Sequence, residues 1–302
     1  MPTSCPAEVA AMEPVVTAGL DGSPESGSAA RWAADEAVRR GLSLRLVHAW
    51  VPPPPTAADI PVPQGTQSHW AQRLLRDTQS ELCELHPGLP VTTDLVSAEA
   101  TAALLTAGEA GEMLVLGSRG IGPVRGFFLG DTGLQVVARA DRPVVLVRAG
   151  EQQDDQAPRA EPASVVVALN PRRRCEEVLE FAFGAAALRD TVLRAVHCRS
   201  LPVPASALWY PSPEAAEAVA RAAGQELCAV LRPWQERFPG VRVIDEVLFD
   251  SPARAVVHMA QGSALLVVGR RRDRPALAPG IGPVAHAAIH HALCPVAVIA
   301  HD

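Results

Sequence analysis

The chain contains no lysine: all 27 of its basic residues are arginine. That absence removes the phosphate-binding lysine of Walker-type loops, the strand lysine of protein kinases and any Schiff-base lysine. Aromatic residues supply only 4% of the 302 residues, against 48% hydrophobic, so the core must be built from Ala, Val and Leu. No apolar run reaches the roughly 20 residues that span a bilayer. The start, "MPTSCPAEVAAMEPVV", has neither a basic n-region nor an apolar h-region, so no signal peptide is expected. The six cysteines include no CxxC pair, which points to reduced thiols in the cytosol. With a net charge of −6 and no basic stripe interleaved with aromatics, no nucleic-acid partner is expected.

What is present is written twice. "VVTAGLDGSP" (15–24) has its counterpart in "VVVALNPRRR" (165–174), and "LRLVHAW" (44–50) in "LRAVHCR" (193–199). "MLVLGSRG" (113–120) matches "LLVVGRRR" (265–272), and "RPVVLVRAG" (142–150) matches "CPVAVIAHD" (294–302). Four paired segments in one order indicate a tandem duplication. The polar stretch "GEQQDDQAPRAEPA" (150–163) reads as the linker between a first domain at 1–149 and a second at 164–302.

In the first copy, strands are expected near 14–20, 42–50, 91–96, 112–117 and 143–148, alternating with helical patterns. Ser23 and Pro24 suit an N-cap and first helical position, and Gly41 a C-terminal cap. Ala30, Ala33, Ala34, Ala37 and Val38 form one apolar stripe, and Trp70, Leu74, Leu75, Leu82 and Leu85 a second. The alternation implies βαβ units, a parallel sheet and ligands beyond the carboxyl ends of the strands. Asp21 and the glycine-rich run "GSRGIGPVRGFFLGDT" (117–132) both fall at such ends. Glycine lets a backbone approach a ligand closely, and a helix opening after such a loop offers free N–H groups to an anion.

Gly117, Gly120 and Gly130 are spaced G-x2-G-x9-G. With Asp21 after the first strand, "VHAW" after the second and "RPVVLV" as the last, the chain resembles the universal stress protein family. The resemblance implies an α/β fold of two tandem Rossmann-like domains, of the adenine nucleotide alpha hydrolase-like kind. Each would be a five-stranded parallel sheet of order 3-2-1-4-5 with flanking helices. It further implies a cytoplasmic stress-response protein that binds ATP in its first domain. Asp21 and Ala49 would contact the nucleotide, while the backbones of Gly117, Gly120 and Gly130 would cradle its phosphates. The two domains would pair through their last strands, and a homodimer is compatible with the resemblance.

One departure bears on that reading. The family follows its third glycine with Ser or Thr, whereas here Asp131 precedes Thr132. A carboxylate beside a triphosphate repels it by about 1 kcal/mol in water at roughly 4 Å. Mg²⁺ can reverse that sign by bridging, Thr132 can supply the hydroxyl, and Arg119 and Arg125 can offset the charge. The second copy departs further. Asn170 replaces the Asp, Arg272 the middle glycine and Pro283 the Ser position. An arginine there is expected to fill the cleft, which makes the second site degenerate. The alternative is an anion site built from Arg270, Arg271 and Arg272.

His286 and His290 stand at i, i+4 without a third ligand in evidence, so they read as a helix face, not a metal centre. His48 and His197 hold matched places and suit structural hydrogen bonds. "PPPPTAADIPVPQG" (52–65) and "RSLPVPASALWYPSP" (199–213), with Trp209 and Tyr210, are candidates for a lid and a contact surface. Three function classes stand at this point: a nucleotide-responsive signalling module, a slow ATPase, and a scaffold or partner-binding protein whose sites are lost. No general base is placed to activate water.

Overall fold

The computed structural model of the chain describes residues 14–51, 64–118, 131–149, 163–199, 213–272 and 280–302. The first half runs β1 (Val15–Gly19), α1 (Pro24–Arg40), β2 (Ser43–Trp50), α2 (Gln64–Leu85), β3 (Val91–Ser97), α3 (Ala100–Glu109), β4 (Met113–Ser118), α4 (Asp131–Arg139) and β5 (Val144–Arg148). The second half repeats this series as β6 (Val165–Ala168), α5 (Glu176–Leu188), β7 (Leu193–Cys198), α6 (Pro213–Arg237), β8 (Val243–Leu248), α7 (Pro252–Met259), β9 (Leu265–Arg271), α8 (Pro283–His291) and β10 (Val296–His301). The Pro-rich segments, the linker, Trp209 and Tyr210 lie outside the described residues, apart from a few residues at their margins.

The described strands form one ten-stranded sheet, ordered β3-β2-β1-β4-β5-β10-β9-β6-β7-β8. Each half has the order 3-2-1-4-5 and is parallel throughout. The halves join where β5 meets β10 antiparallel, with Val145 opposite Ala297. "RPVVLV" and "CPVAVIA" thus cover each other's edge, and Val144, Val145, Val296 and Ala297 are buried there. Side chains alternate between two cores. Val16, Ala18, Met113 and Val115 face the layer of α1, α2, α5 and α6. Leu114, Leu116, Leu266 and Val268 face α3, α4, α7 and α8.

Local chemistry sets α1. Ser23 caps its N-terminus by accepting the Ser26 N–H, and Pro24 opens the first turn with its preset φ. Gly41, at φ 66°, closes it in the left-handed conformation. Ala29, Ala30, Ala33, Ala34 and Ala37 are all fully buried, and their small side chains let the helix lie close on the sheet. Three stripe residues do not follow the expectation: Val38 is 51% exposed, Trp70 51% and Leu85 56%. Each stands at the margin or end of its stripe, where an amphipathic face turns towards water.

Candidate nucleotide site

The carboxyl ends of β1, β2 and β4 and the start of α4 surround a cavity of about 240 Å³ in the first half. Four of the expected residues line it: Asp21, Ala49, Gly117 and Thr132. Ser23, Glu25 and Ser26 line it too, and nothing in the spacing had singled them out as ligand-facing. Arg119, Gly120 and Gly130 lie outside the described residues, as does the side chain of Asp131, whose backbone opens α4.

The turn from β1 into α1 is cross-braced. Asp21 Oδ1 accepts the Ser23 N–H at 2.9 Å and the Ser23 hydroxyl at 2.5 Å. Ser26 Oγ donates to the Ser23 carbonyl at 2.9 Å and accepts the Asp21 N–H at 3.3 Å. The carboxylate of Asp21 is thereby held at the cavity wall while its residue stays exposed.

Gly117 has a more local reason to be glycine than a phosphate cradle. A Cβ there would stand 2.6 Å from both Glu25 C and Ser26 N, backbone atoms of the first turn of α1. Only glycine lets the end of β4 pass beneath that turn. The close approach that the glycine run suggested therefore exists at this position, and its partner is the chain's own helix N-terminus.

His48 Nδ1 donates to the Leu20 carbonyl at 2.8 Å, and His197 Nδ1 to the Leu169 carbonyl at 3.0 Å. The same bond in both halves ties the second strand of each to the turn that follows the first. The indole of Trp70 packs edge-on to His48, with centroids 5.6 Å apart. It also leaves no room at Gly22, where a Cβ would stand 2.8 Å from the ring and where φ is +81°. Trp70 therefore packs against the turn that carries Asp21 and against His48, which lines the cavity; read as one member of an apolar stripe, it gave no sign of this.

The sequence profile of the universal stress protein family matches residues 14–148 and again 163–300. The chain belongs to the universal stress protein family. A universal stress protein of Mycobacterium tuberculosis is 31% identical over 266 residues, covering 85% of this chain and 86% of that protein. One from Mycobacterium bovis is 30% identical over 290 residues, covering 94% of this chain and 96% of the other. Among solved structures, a universal stress protein from Archaeoglobus fulgidus has the same fold. Its TM-score is 0.64 at 15% identity, over 95% of this chain and 98% of that one.

In the second universal stress repeat the equivalent cleft is open. It encloses about 280 Å³, walled by Val178, Val196, Val256 and Val268. Arg272 does not fill it, contrary to expectation. Its guanidinium turns outwards to Glu177 at 3.1 Å, Asp302 at 3.2 Å and Asp141 at 3.4 Å. Arg270 donates to the Ala140 carbonyl of the first half, so of the three consecutive arginines only Arg271 lines the cleft. His286 and His290 pack ring to ring, centroids 4.3 Å apart. Burial and the neighbouring His286, His291 and Arg148 hold His290 below the usual histidine range. No cluster of three or more metal-ligating side chains occurs among the described residues.

Proposed function

We propose that the first repeat binds ATP in the Asp21–Gly117 cleft and that the protein acts as a nucleotide-responsive stress module. The observation that carries this reading is the convergence of Asp21, Ala49, Gly117 and Thr132 on one cavity at the carboxyl ends of parallel strands. The N-termini of α1 and α4 both open onto it, and such ends favour anions without any lysine. A volume of about 240 Å³ lies just under the usual range for a whole small-molecule site, which suits a nucleotide that projects partly into solvent. Asp21 and Glu25 place two carboxylates at the wall. Mg²⁺ fits that donor set, since a hard cation takes carboxylate and phosphate oxygens together. In this reading Asp21 positions the nucleotide and the Thr132 hydroxyl donates to a phosphate. Asp21, already engaged by Ser23, serves as a binding group, not as a base.

The test is the nucleotide content of gently purified protein, released by denaturation and identified by chromatography and mass spectrometry. ATP near one per chain is expected. No release, together with no rise in melting temperature on adding ATP and Mg²⁺, would overturn the reading and leave the protein acting through its surface.

A further inference from the structure

The described linings of the two clefts differ in the sign of their charged residues. Their registers can be matched because Leu20 N–H donates to the Val47 carbonyl and Leu169 N–H to the Val196 carbonyl, at 2.8 and 2.9 Å. In that register Asn170 stands for Asp21, Arg174 for Glu25 and Cys198 for Ala49. Asn170 Oδ1 accepts the Arg172 N–H at 3.3 Å, as Asp21 Oδ1 accepts that of Ser23. The turn is thus kept while its negative charge is removed. Among the described residues, the charged side chains that line the first cleft are Asp21 and Glu25. Arg173, Arg174 and Arg271 line the second, with no carboxylate.

These three arginines differ from their neighbours in their partners. Arg172 is held by Glu226 at 3.0 Å, and Arg272 by Glu177, Asp302 and Asp141. No ion pair among the described residues takes up Arg173, Arg174 or Arg271. The backbone keeps two of them at the rim of the cleft. With Pro171 and no capping side chain, the helix is delayed to Glu176, so Arg173 and Arg174 stay in the turn at the cleft. The starts of α5 and α8 face the same space without side-chain caps. Cys175 and Cys198 also line it, but burial pushes both thiols up to about 11, so they are neutral wall.

We infer that the second cleft is a binding site for a small phosphate-bearing anion, held by Arg173, Arg174 and Arg271 without a divalent cation. Guanidinium forks match phosphate oxygens in pairs, and the valine wall takes an apolar portion. The site differs from the first, whose described lining carries the carboxylates of Asp21 and Glu25. It does not depend on whether the first cleft holds ATP.

The test is calorimetric titration of the full chain with inorganic pyrophosphate in EDTA. Saturable binding that weakens as salt rises is expected. The triple change Arg173→Gln, Arg174→Gln, Arg271→Gln should weaken it at least about tenfold, and Asn170→Asp should weaken it as well. Thr132→Ala, in the first cleft, should leave it unchanged. Because Arg173 and Arg174 are exposed, Arg174→Gln alone provides a variant whose fold is not at risk. Absence of binding at millimolar pyrophosphate overturns the inference. So does binding that survives the triple change, or that is lost with Thr132→Ala instead.

Discussion

Glu36 Oε2 accepts a hydrogen bond from Arg189 Nη2 at 2.6 Å, and the two residues belong to different halves of the chain. Around this bond the halves are nearly symmetric. Arg40 lies 5.4 Å over Phe181, and its counterpart Arg189 lies 5.9 Å over Trp32. Glu36 breaks the symmetry, because Ala185 stands in its place in the second repeat. One fully buried carboxylate therefore serves both arginines, taking Arg40 Nε at 2.8 Å through its other oxygen. Removing it leaves two guanidiniums facing each other. Glu36→Gln should cost about 3 kcal/mol, as broken buried pairs do. Glu81→Gln, which loses an exposed pair with Arg31, should cost under about 1 kcal/mol. Urea unfolding of both variants measures the contrast.

The same carboxylate gives the fold an acid limit. Burial alone would raise the Glu36 pKa, but the Arg189 and Arg40 charges and their hydrogen bonds outweigh it and hold it below its ordinary 4.5. A pKa lowered by folding contributes stability that is present above the unfolded value and lost as pH falls through the folded one. The stability gap between the parent and Glu36→Gln should therefore be full at neutral pH and close progressively below about pH 4.5. Melting temperatures of both proteins across that range are the check. A gap that widened on acidification would show that Glu36 does not carry this dependence.

Two glycines close together in space should respond in opposite ways. Gly117→Ala puts a Cβ 2.6 Å from the backbone of Glu25 and Ser26, which must force the first turn of α1 away from β4. Overpacking of this kind costs about 1–3 kcal/mol, and the displaced turn carries the Asp21–Ser23 brace, so nucleotide affinity should fall with stability. Gly27→Ala, in the same helix, meets nothing within 4 Å and should stabilise by about 0.5–1 kcal/mol. Thermal unfolding with and without ATP separates the two effects.

Features governed by neighbouring residues were legible in the sequence. Ser23, Pro24 and Gly41 mark both ends of α1 because capping is settled within a few residues. Short apolar runs located the strands of the first half to within a residue or two, and the strand order came from family resemblance, since pattern alone does not order strands. Features that depend on distant partners were not legible. Nothing near Glu36 in the sequence points to Arg189, its partner 153 positions along the chain. Arg272 reads as a plug for the second cleft until Glu177 and Asp302 draw it outwards. Gly117 was singled out for a close backbone approach, and the neighbour it approaches in the structure is α1.

The cysteines should divide sharply in reactivity. Cys175 is buried, and its thiol is pushed up to about 11 by that burial and by Glu176 and Glu177 nearby. Cys198 is half-buried and is likewise pushed up to about 11, by burial and then by Asp250. Thiolate is the reactive form, so neither should alkylate appreciably at pH 8 in the folded protein. Cys83 is exposed and should label within the same exposure to iodoacetamide. Mass spectrometry of the digested protein reads each site separately. Rapid native labelling of Cys175 would mean that the valine wall of the second cleft opens in solution.

Trp70 offers a direct report on the first cleft. Its indole packs against Gly22 and His48, at the turn that carries Asp21, and is half exposed to water. A nucleotide entering beside Asp21 and Ala49 changes the polarity and collision partners of that ring. Trp32 and Trp234 sit elsewhere, packed beside Arg189 and Phe183 respectively. Addition of ATP with Mg²⁺ should therefore change the intrinsic fluorescence, and Trp70→Phe should remove most of that change while leaving binding measurable by calorimetry. Pyrophosphate in EDTA should bind without this signal, because its arginines line the other cleft. A fluorescence change that persists in Trp70→Phe would assign the signal to another indole, such as Trp50 beside Ala49, and one produced equally by pyrophosphate would mean that the two clefts do not sort their ligands.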